Sequence, residues 1–278
     1  MTQNLSTSEQ LAFTTVRIQC ETNTGSASTG TGCFFSFKFS DNIHALVIIT
    51  NRHVIEGSAR GIFQLTRANT DSTPQIGSFD NIVINNFEKN WIHHPKPEVD
   101  LCIMNVVPLL HEAQEQGISF FYRHLDENLL PSQQLLTDMT ALEEILMIGY
   151  PVGLWDSVNN MPIFRKGITA THPNLNYEGK EEFLIDAACY PGSSGSPVFL
   201  YNPGNYVDRQ GGTVIGTRIA LLGILYAGPH FTVEGEIKVS PIPTQMKPVP
   251  ISRIPVNLGI VIKAKQILEF KPIIEKML

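Results

Sequence analysis

The chain has 278 residues, room for one large domain or about two average ones, and its 20 Lys and Arg against 26 Asp and Glu give a formal charge of −6. A charged fraction of 17% excludes a disordered polyelectrolyte. The acidic balance, with no run of Lys and Arg, excludes a phosphate-tracking nucleic-acid binder, which needs a concentrated basic face.

Residues 1–10 are polar and read as an N-terminal tail, lacking the basic start and the apolar stretch of about 7 to 15 residues that mark a secretory signal. No span reaches the roughly 18 apolar residues of a membrane helix, so no membrane partner is expected. With 21 Gly and 18 Pro set among short runs of Val, Ile, Phe and Thr, the pattern is that of many short strands and turns. Strands are expected at Phe13 to Cys20, at Cys33 to Phe39 after Gly30-Thr31-Gly32, and at Ala45 to Thr50, with more at 61–66, 82–87 and 99–107. Residues 11–110 thereby form a first β unit. Helix formers at Leu109 to Gln116 and Leu135 to Glu144 flank a polar stretch and make 111–143 a connection.

The second unit, 144–263, resumes strands at Glu144 to Ile148, Ile163 to Thr171, Glu182 to Ala188, Gly195 to Leu200 and Thr213 to Tyr226. Residues 229–255 hold five prolines and little periodicity, which predicts a long irregular loop. A last strand at Val256 to Lys263 leads into a helix over 264–278, where Ile267, Leu268, Phe270, Ile274 and Met277 keep a helical apolar spacing despite Pro272.

Cys20, Cys33, Cys102 and Cys189 are scattered, and the last two lie in or beside apolar runs, which favours a reduced, cytoplasmic setting. There is neither a CxxC pair nor an HExxH, so no metal and no cofactor is expected.

Three segments carry chemistry. Tyr190-Pro191-Gly192-Ser193-Ser194-Gly195-Ser196-Pro197-Val198 is a glycine-rich turn entering an apolar strand, able to expose a serine hydroxyl while backbone N–H groups converge on one point. Conformational preference alone also explains such a turn. In Ile48-Ile49-Thr50-Asn51-Arg52-His53-Val54-Ile55 a histidine follows a hydrophobic strand, and in Glu98-Val99-Asp100-Leu101-Cys102-Ile103 an aspartate opens one. Taken singly, His53 competes with His93 and His94, and Asp100 competes with Glu98 and Asp186 or serves only to satisfy local backbone N–H groups.

Together, in the order His53, Asp100, Ser194, the segments resemble the trypsin-like serine peptidases of chymotrypsin fold, in particular the bacterial Deg-type and intracellular trypsin-like branch, with no PDZ-like domain following. Met147-Ile148-Gly149-Tyr150-Pro151-Val152-Gly153 and Gly223-Ile224-Leu225-Tyr226-Ala227-Gly228 resemble further strands of that family. The resemblance implies an all-β fold of two six-stranded antiparallel barrels with a C-terminal helix. It implies a catalytic triad of His53, Asp100 and Ser194, and an oxyanion hole from the N–H groups of Gly192 and Ser194. Substrate would be held by Ala188 and Gly259 at the base of the pocket, by Leu225, where Glu- or Gln-selecting relatives place His, and by the strand Tyr226, Ala227 and Gly228. Those residues are uncharged, so an apolar or small residue is expected before the cleaved bond of a polypeptide substrate.

Two departures stand out. Ser193 occupies the place where zymogen-type relatives carry Asp, so a newly freed N-terminal ammonium has no carboxylate to meet, and a separate regulatory partner stays open. Tyr226 stands where many relatives have a serine bonded to the triad aspartate. The alternatives to a peptidase are a catalytically silent module gripping extended peptides in the same cleft, and an esterase.

Overall fold

The computed structural model describes residues 5–228, 230–233, 252–255 and 257–277. Helix α1 (Thr7–Ala12) opens on a capping box, in which the Glu9 N–H donates to Ser6 Oγ at 3.4 Å and the Ser6 N–H donates to the Glu9 carboxylate at 2.6 Å. This corrects the expectation of a tail over residues 1–10: the Ser-x-x-Glu spacing turns its second half into helix, and Leu11 and Ala12 anchor that helix in the interior.

The N-terminal unit is one twisted sheet. Its strands are β1 (Thr15–Thr22), β2 (Ala27–Lys38), β3 (His44–Thr50), β4 (Ser58–Ala68), β5 (Pro74–Asn85), β6 (Ile92–His93) and β7 (Cys102–Asn105), with the one-turn helix α2 (Arg52–Ile55) between β3 and β4. They pair in the order β5-β4-β1-β2-β3-β7-β6. After helix α3 (Val107–Glu115), strand β8 (Leu125–Asp126) joins parallel to β2. The unit therefore holds eight strands rather than the expected six, and among the described residues its ladder ends at β5 and β6 instead of closing. Strand β5 starts eight residues before the expected position because it is an edge strand, where Pro74, Gly77 and Asp80 cost no ladder hydrogen bond on the open side.

Helix α4 (Gln133–Asp138) leads to the second unit, formed by β9 (Glu144–Gly149), β10 (Ile163–Thr169), β11 (Glu182–Asp186), β12 (Pro197–Asn202), β15 (Arg218–Ala227) and β18 (Leu258–Lys263). These six close into a barrel in the order β10-β11-β18-β15-β12-β9. Two small ribbons project from it: β13 (Asn205–Val207) with β14 (Thr213–Ile215), and β16 (His230–Val233) with β17 (Ser252–Pro255). The β16–β17 ribbon replaces the ends of the irregular loop expected over 229–255, whose middle, 234–251, lies outside the described residues. The C-terminal segment is a 3₁₀ stretch (Ala264–Phe270) followed by α5 (Lys271–Glu275), with Pro272 in the first turn, where its missing N–H breaks no bond.

Three apolar clusters organise the interior. Val16, Ile18, Phe34, Phe63, Phe87 and Trp91 fill the N-terminal unit, while Ile145, Met147, Phe183, Val198, Leu222 and Val261 fill the barrel. The third lies between them, where Phe35, Phe37, Ile49 and Ile103 meet Ile148, Phe199, Ile224 and Ile262 under Ile267, Phe270 and Ile274 of the C-terminal segment.

Candidate active site

His53 sits on α2, immediately after β3. Strand β3 pairs with β7 so that Thr50 faces Cys102, which brings the residues just beyond each strand end, Asn51 to His53 and Asp100, side by side. The His53 N–H donates to Asp100 Oδ1 at 3.1 Å, and His53 Nδ1 lies 2.5 Å from Asp100 Oδ2. Buried Asn51 donates from Nδ2 to the Asp100 carbonyl at 2.8 Å, fixing the backbone of the acid as well. Burial by itself pushes the Asp100 carboxyl up, but the His53 hydrogen bonds and charge, with Arg52 adding to them, outweigh it and hold the group below the usual carboxylate range. The aspartate side chain is 17% exposed and the imidazole 44%, so the pair opens to solvent through the ring.

The competitors are placed elsewhere. Buried His94 spends both ring nitrogens on structure, Nε2 with the Gln266 carbonyl at 3.1 Å and Nδ1 accepting the Lys96 N–H at 3.1 Å. His93, Glu98 and Asp186 are exposed, and none bonds to His53 among the described residues.

The Ser194 turn comes from the loop between β11 and β12 and is pressed against the N-terminal sheet. Gly192 and Gly195 have φ of +84° and +86°, which L side chains rarely adopt. A Cβ on Gly195 would also collide with the Thr31 carbonyl oxygen and meet Thr50 Oγ1 at 2.5 Å, so the turn touches both β2 and the end of β3 that leads into His53. Fully buried Thr31 is the hub of this contact. Its N–H donates to the Ser194 carbonyl at 2.9 Å, its hydroxyl donates to the Gly192 carbonyl at 3.2 Å, and the same hydroxyl accepts the Tyr150 N–H at 3.1 Å. From the other side the Val152 N–H donates to the Pro191 carbonyl at 2.5 Å. Val152 reaches that position with φ of 51°, a left-handed conformation unusual for a β-branched residue. Because the peptide is trans, the Gly192 N–H faces away from the carbonyl Val152 holds.

Within the turn the N–H groups of Ser193, Gly195 and Ser196 donate to the carbonyls of Tyr190, Leu225 and Ser193. Those of Gly192 and Ser194 have no acceptor among the described residues. Ser194 Oγ donates to the Tyr226 carbonyl at 3.4 Å, and no hydrogen bond joins it to His53 among the described residues. Tyr226 is where β15 bulges against β18: Leu225 faces Val261 and Ala227 faces Ile260, leaving Tyr226 as the extra residue. Its phenol is pushed up first by burial, then by the charge of Glu182 and its hydrogen bond, with Asp100 adding a little, so it stays neutral.

Leu225 is buried with both backbone groups spent, its N–H on the Ser196 carbonyl and its carbonyl on the Gly195 N–H. Around Cys189 and next to Ala188 the structure gathers Leu225, Gly228 and Gly259, since a Cβ on Gly259 would come within 2.6 Å of both Cys189 Sγ and Leu225 Cδ1 and one on Gly228 within 3.9 Å of Cys189 Cβ. Nothing in the sequence marks Val152 or Arg165 as part of the site, and the Gly30-Thr31-Gly32 spacing is the one signal for Thr31. A cavity of about 600 Å³ between α1, the β4–β5 hairpin and β10 is lined by Phe13, Ile76 and Phe164 but by none of His53, Asp100 or Ser194.

Residues 30–207 match the trypsin-like peptidase domain family. Among solved structures, the Rv3671c protease from M. tuberculosis in its active form is 14% identical, with 94% of this chain and 80% of that one covered and a TM-score of 0.44. A mutant of the Tobacco Etch Virus protease is 13% identical over 81% of this chain and 72% of that one, also with a TM-score of 0.44. No curated protein matches the chain in sequence. No helix among the described residues is long and apolar enough to cross a membrane. The family match spans well over half of the sequence and contains His53, Asp100 and the whole of the Tyr190–Val198 segment, so the chain belongs to the trypsin-like peptidase domain family.

Proposed function

We propose that the chain is a serine endopeptidase in which Ser194 is the nucleophile, His53 the general base and then acid, and Asp100 the group that orients His53. The observation that carries this reading is the pair of unused donors: the N–H groups of Gly192 and Ser194 lie on either side of Ser193 without an acceptor among the described residues, while every neighbouring N–H of the turn has one. Two such donors suit the oxyanion of a tetrahedral intermediate, and each is worth about 10²- to 10³-fold in rate.

The chemistry runs on this chain's own groups. With its proton on Nδ1 and shared with Asp100, the His53 ring keeps a lone pair on Nε2. For attack, Ser194 Oγ turns from the Tyr226 carbonyl toward that nitrogen, a rearrangement common between free and loaded sites. As Oγ bonds to the scissile carbonyl carbon its proton passes to Nε2. The C–N bond then breaks and the same proton goes to the departing amine. Water, deprotonated by His53, releases the acyl group and restores the serine. The depressed Asp100 carboxyl stays ionised throughout and balances the imidazolium.

Ala188, Leu225 and Gly259 offer no charge around the pocket, which supports an apolar or small residue before the cleaved bond, with Tyr226, Ala227 and Gly228 pairing with substrate backbone. The functional units are assigned to 11–110 and 144–263, and the connection 111–143 also lends β8 to the sheet of the first. The four buried, unpaired thiols support a cytoplasmic site of action, and control by a separate protein partner remains open to test.

The bond from Ser194 to Tyr226 is the one observation that favours a catalytically silent peptide-binding module. A fluorophosphonate probe decides. The expected outcome is one modified residue, Ser194, with labelling and peptide cleavage both abolished in Ser194→Ala and nearly so in His53→Ala. Absence of labelling with retained peptide binding gives the silent module, labelling at another serine removes the assignment, and turnover of short esters without peptides gives an esterase.

A further inference from the structure

Arg165 lies in the middle of β10, on the face it shares with Ile163, Gly167 and Thr169, while Phe164, Lys166 and Ile168 point outward. A lone arginine on the inner face of a barrel strand calls for a partner, and no carboxylate pairs with it among the described residues. Its side-chain hydrogen bonds all go to the nucleophile turn and the residue that leads into it. Nη1 donates to the Ala188 carbonyl and, at 3.1 Å, to Ser193 Oγ, which also accepts the Tyr190 N–H at 3.3 Å. The Tyr190 ring covers the guanidinium at 5.4 Å. Gly167 makes this approach available. A Cβ there would collide with the Asp186 carbonyl and sit 2.8 Å from the Ala187 side chain, so the backbone leading to Ala188 passes directly over β10.

We propose that Arg165 is a positioning residue for the nucleophile turn, its guanidinium tying Ala188, where the turn begins, to Ser193, the residue immediately before Ser194. The proposal rests on Ser194 being the nucleophile. A turn containing Gly192 and several serines has many accessible conformations, and only those with the Gly192 and Ser194 donors aimed at one point are useful. The tie removes the others from behind, without touching substrate. One nitrogen bearing two N–H groups in a rigid plane serves two acceptors at once, which a lysine's flexible ammonium does less well. Ser193 also gains a role, since its hydroxyl accepts from a cation that belongs permanently to β10. The order of the turn then requires no chain cleavage and no new N-terminus.

The test compares wild type, Arg165→Gln, Arg165→Lys, Ser193→Ala and the Arg165→Gln/Ser193→Ala double variant in the full chain, by fluorophosphonate labelling rate at Ser194 and by kcat and KM on one peptide with an uncharged residue before the cleaved bond and one with an acidic residue there. Arg165→Gln is expected to lose about 10²-fold in labelling rate and in kcat on both peptides, with KM within about twofold. Arg165→Lys should recover part of the loss. The double variant should be no slower than Arg165→Gln, because both changes cut the same tie. Wild-type labelling rates in Arg165→Gln, penalties that multiply in the double variant, or a loss confined to the acidic peptide would each overturn the proposal. Should Arg165→Gln fail to fold, Ser193→Ala carries the test: it removes the acceptor and leaves the charge, and an unchanged labelling rate in it is decisive against the tie. A wild-type chain that takes no probe at Ser194 removes the nucleophile reading itself and this proposal with it, an outcome visible before any variant is compared.

Discussion

The two halves of the site are held in opposite ways. His53 and Asp100 stand partly exposed on neighbouring strand ends, and one carboxylate grips both the backbone N–H and the ring of the histidine. The Ser194 turn is held through its main chain, by a hub threonine from the other unit, by a strained residue on the loop after β9, and by glycines that leave no space for a Cβ. The acid–base half thus depends on a side-chain contact that can be altered without disturbing the fold. The nucleophile half is continuous with the packing between the units, so changes there should reach both rate and stability.

Asp100→Asn is the sharpest separation of the two. The amide keeps an acceptor for the His53 N–H but offers N–H to the ring, which moves the histidine proton to Nε2 and removes the base. A loss of about 10⁴-fold in kcat is expected with an unchanged melting temperature. Thr31→Val should show the opposite mixture. It keeps shape, frees the Gly192 carbonyl and leaves the buried Tyr150 N–H without its acceptor, at a cost of about 1–3 kcal/mol in stability. The accompanying drop in kcat should be about 10- to 10²-fold. A lower melting temperature for Asp100→Asn than for Thr31→Val would show that the two halves are not held differently.

The smallest effect concerns the barrel alone. Lys263, at the end of β18, is 8% exposed and donates to Asn176 Oδ1 at 2.8 Å. Burial chiefly, with Lys265 adding and Glu181 opposing, pushes its ammonium down to about 8. An unfolded lysine holds its proton to about 10.4. Between those values the unfolded chain binds more protons than the folded one, so this group's contribution to stability rises with pH through that window. Melting temperatures of wild type relative to Lys263→Met should climb from about pH 7.5 to 9.5; a flat difference rejects the assignment.

How far each half could be read from sequence follows the same division. The segments of His53, Asp100 and Ser194 stand out because the chemistry proposed for them needs particular residue types beside hydrophobic strands, and β3, β9, β12 and β18 have the apolar runs that mark buried strands. The start of β2 was less legible. Ala27 to Gly32 is small and polar and reads as a turn, yet it is strand, because Gly30 and Gly32 lie too close to Val54 and Ile48 to carry side chains. Helix α4 stops at Asp138 rather than running to Glu144, since Glu143 is drawn into a buried pair with Arg218 at 2.7 Å and accepts the Thr140 N–H. The supports of the turn leave little trace in the sequence for a simpler reason. Thr31 acts on Gly192 across 161 residues, and Arg165 on Ser193 across 28, through bonds to backbone or hydroxyl that leave no local pattern.

The apolar cluster between the units has a consequence for how the molecule comes apart. Ile148, Phe199 and Ile262 of the barrel, Phe35, Ile49 and Ile103 of the N-terminal sheet, and Ile267, Phe270 and Ile274 of the C-terminal segment belong to one continuous interior. Separating the units would expose that surface on both sides, whereas domains that swing independently meet through smaller, more polar faces. Heat or denaturant is therefore expected to melt the two β units in one cooperative step, and neither unit is free to hinge on the other without opening that interior to water.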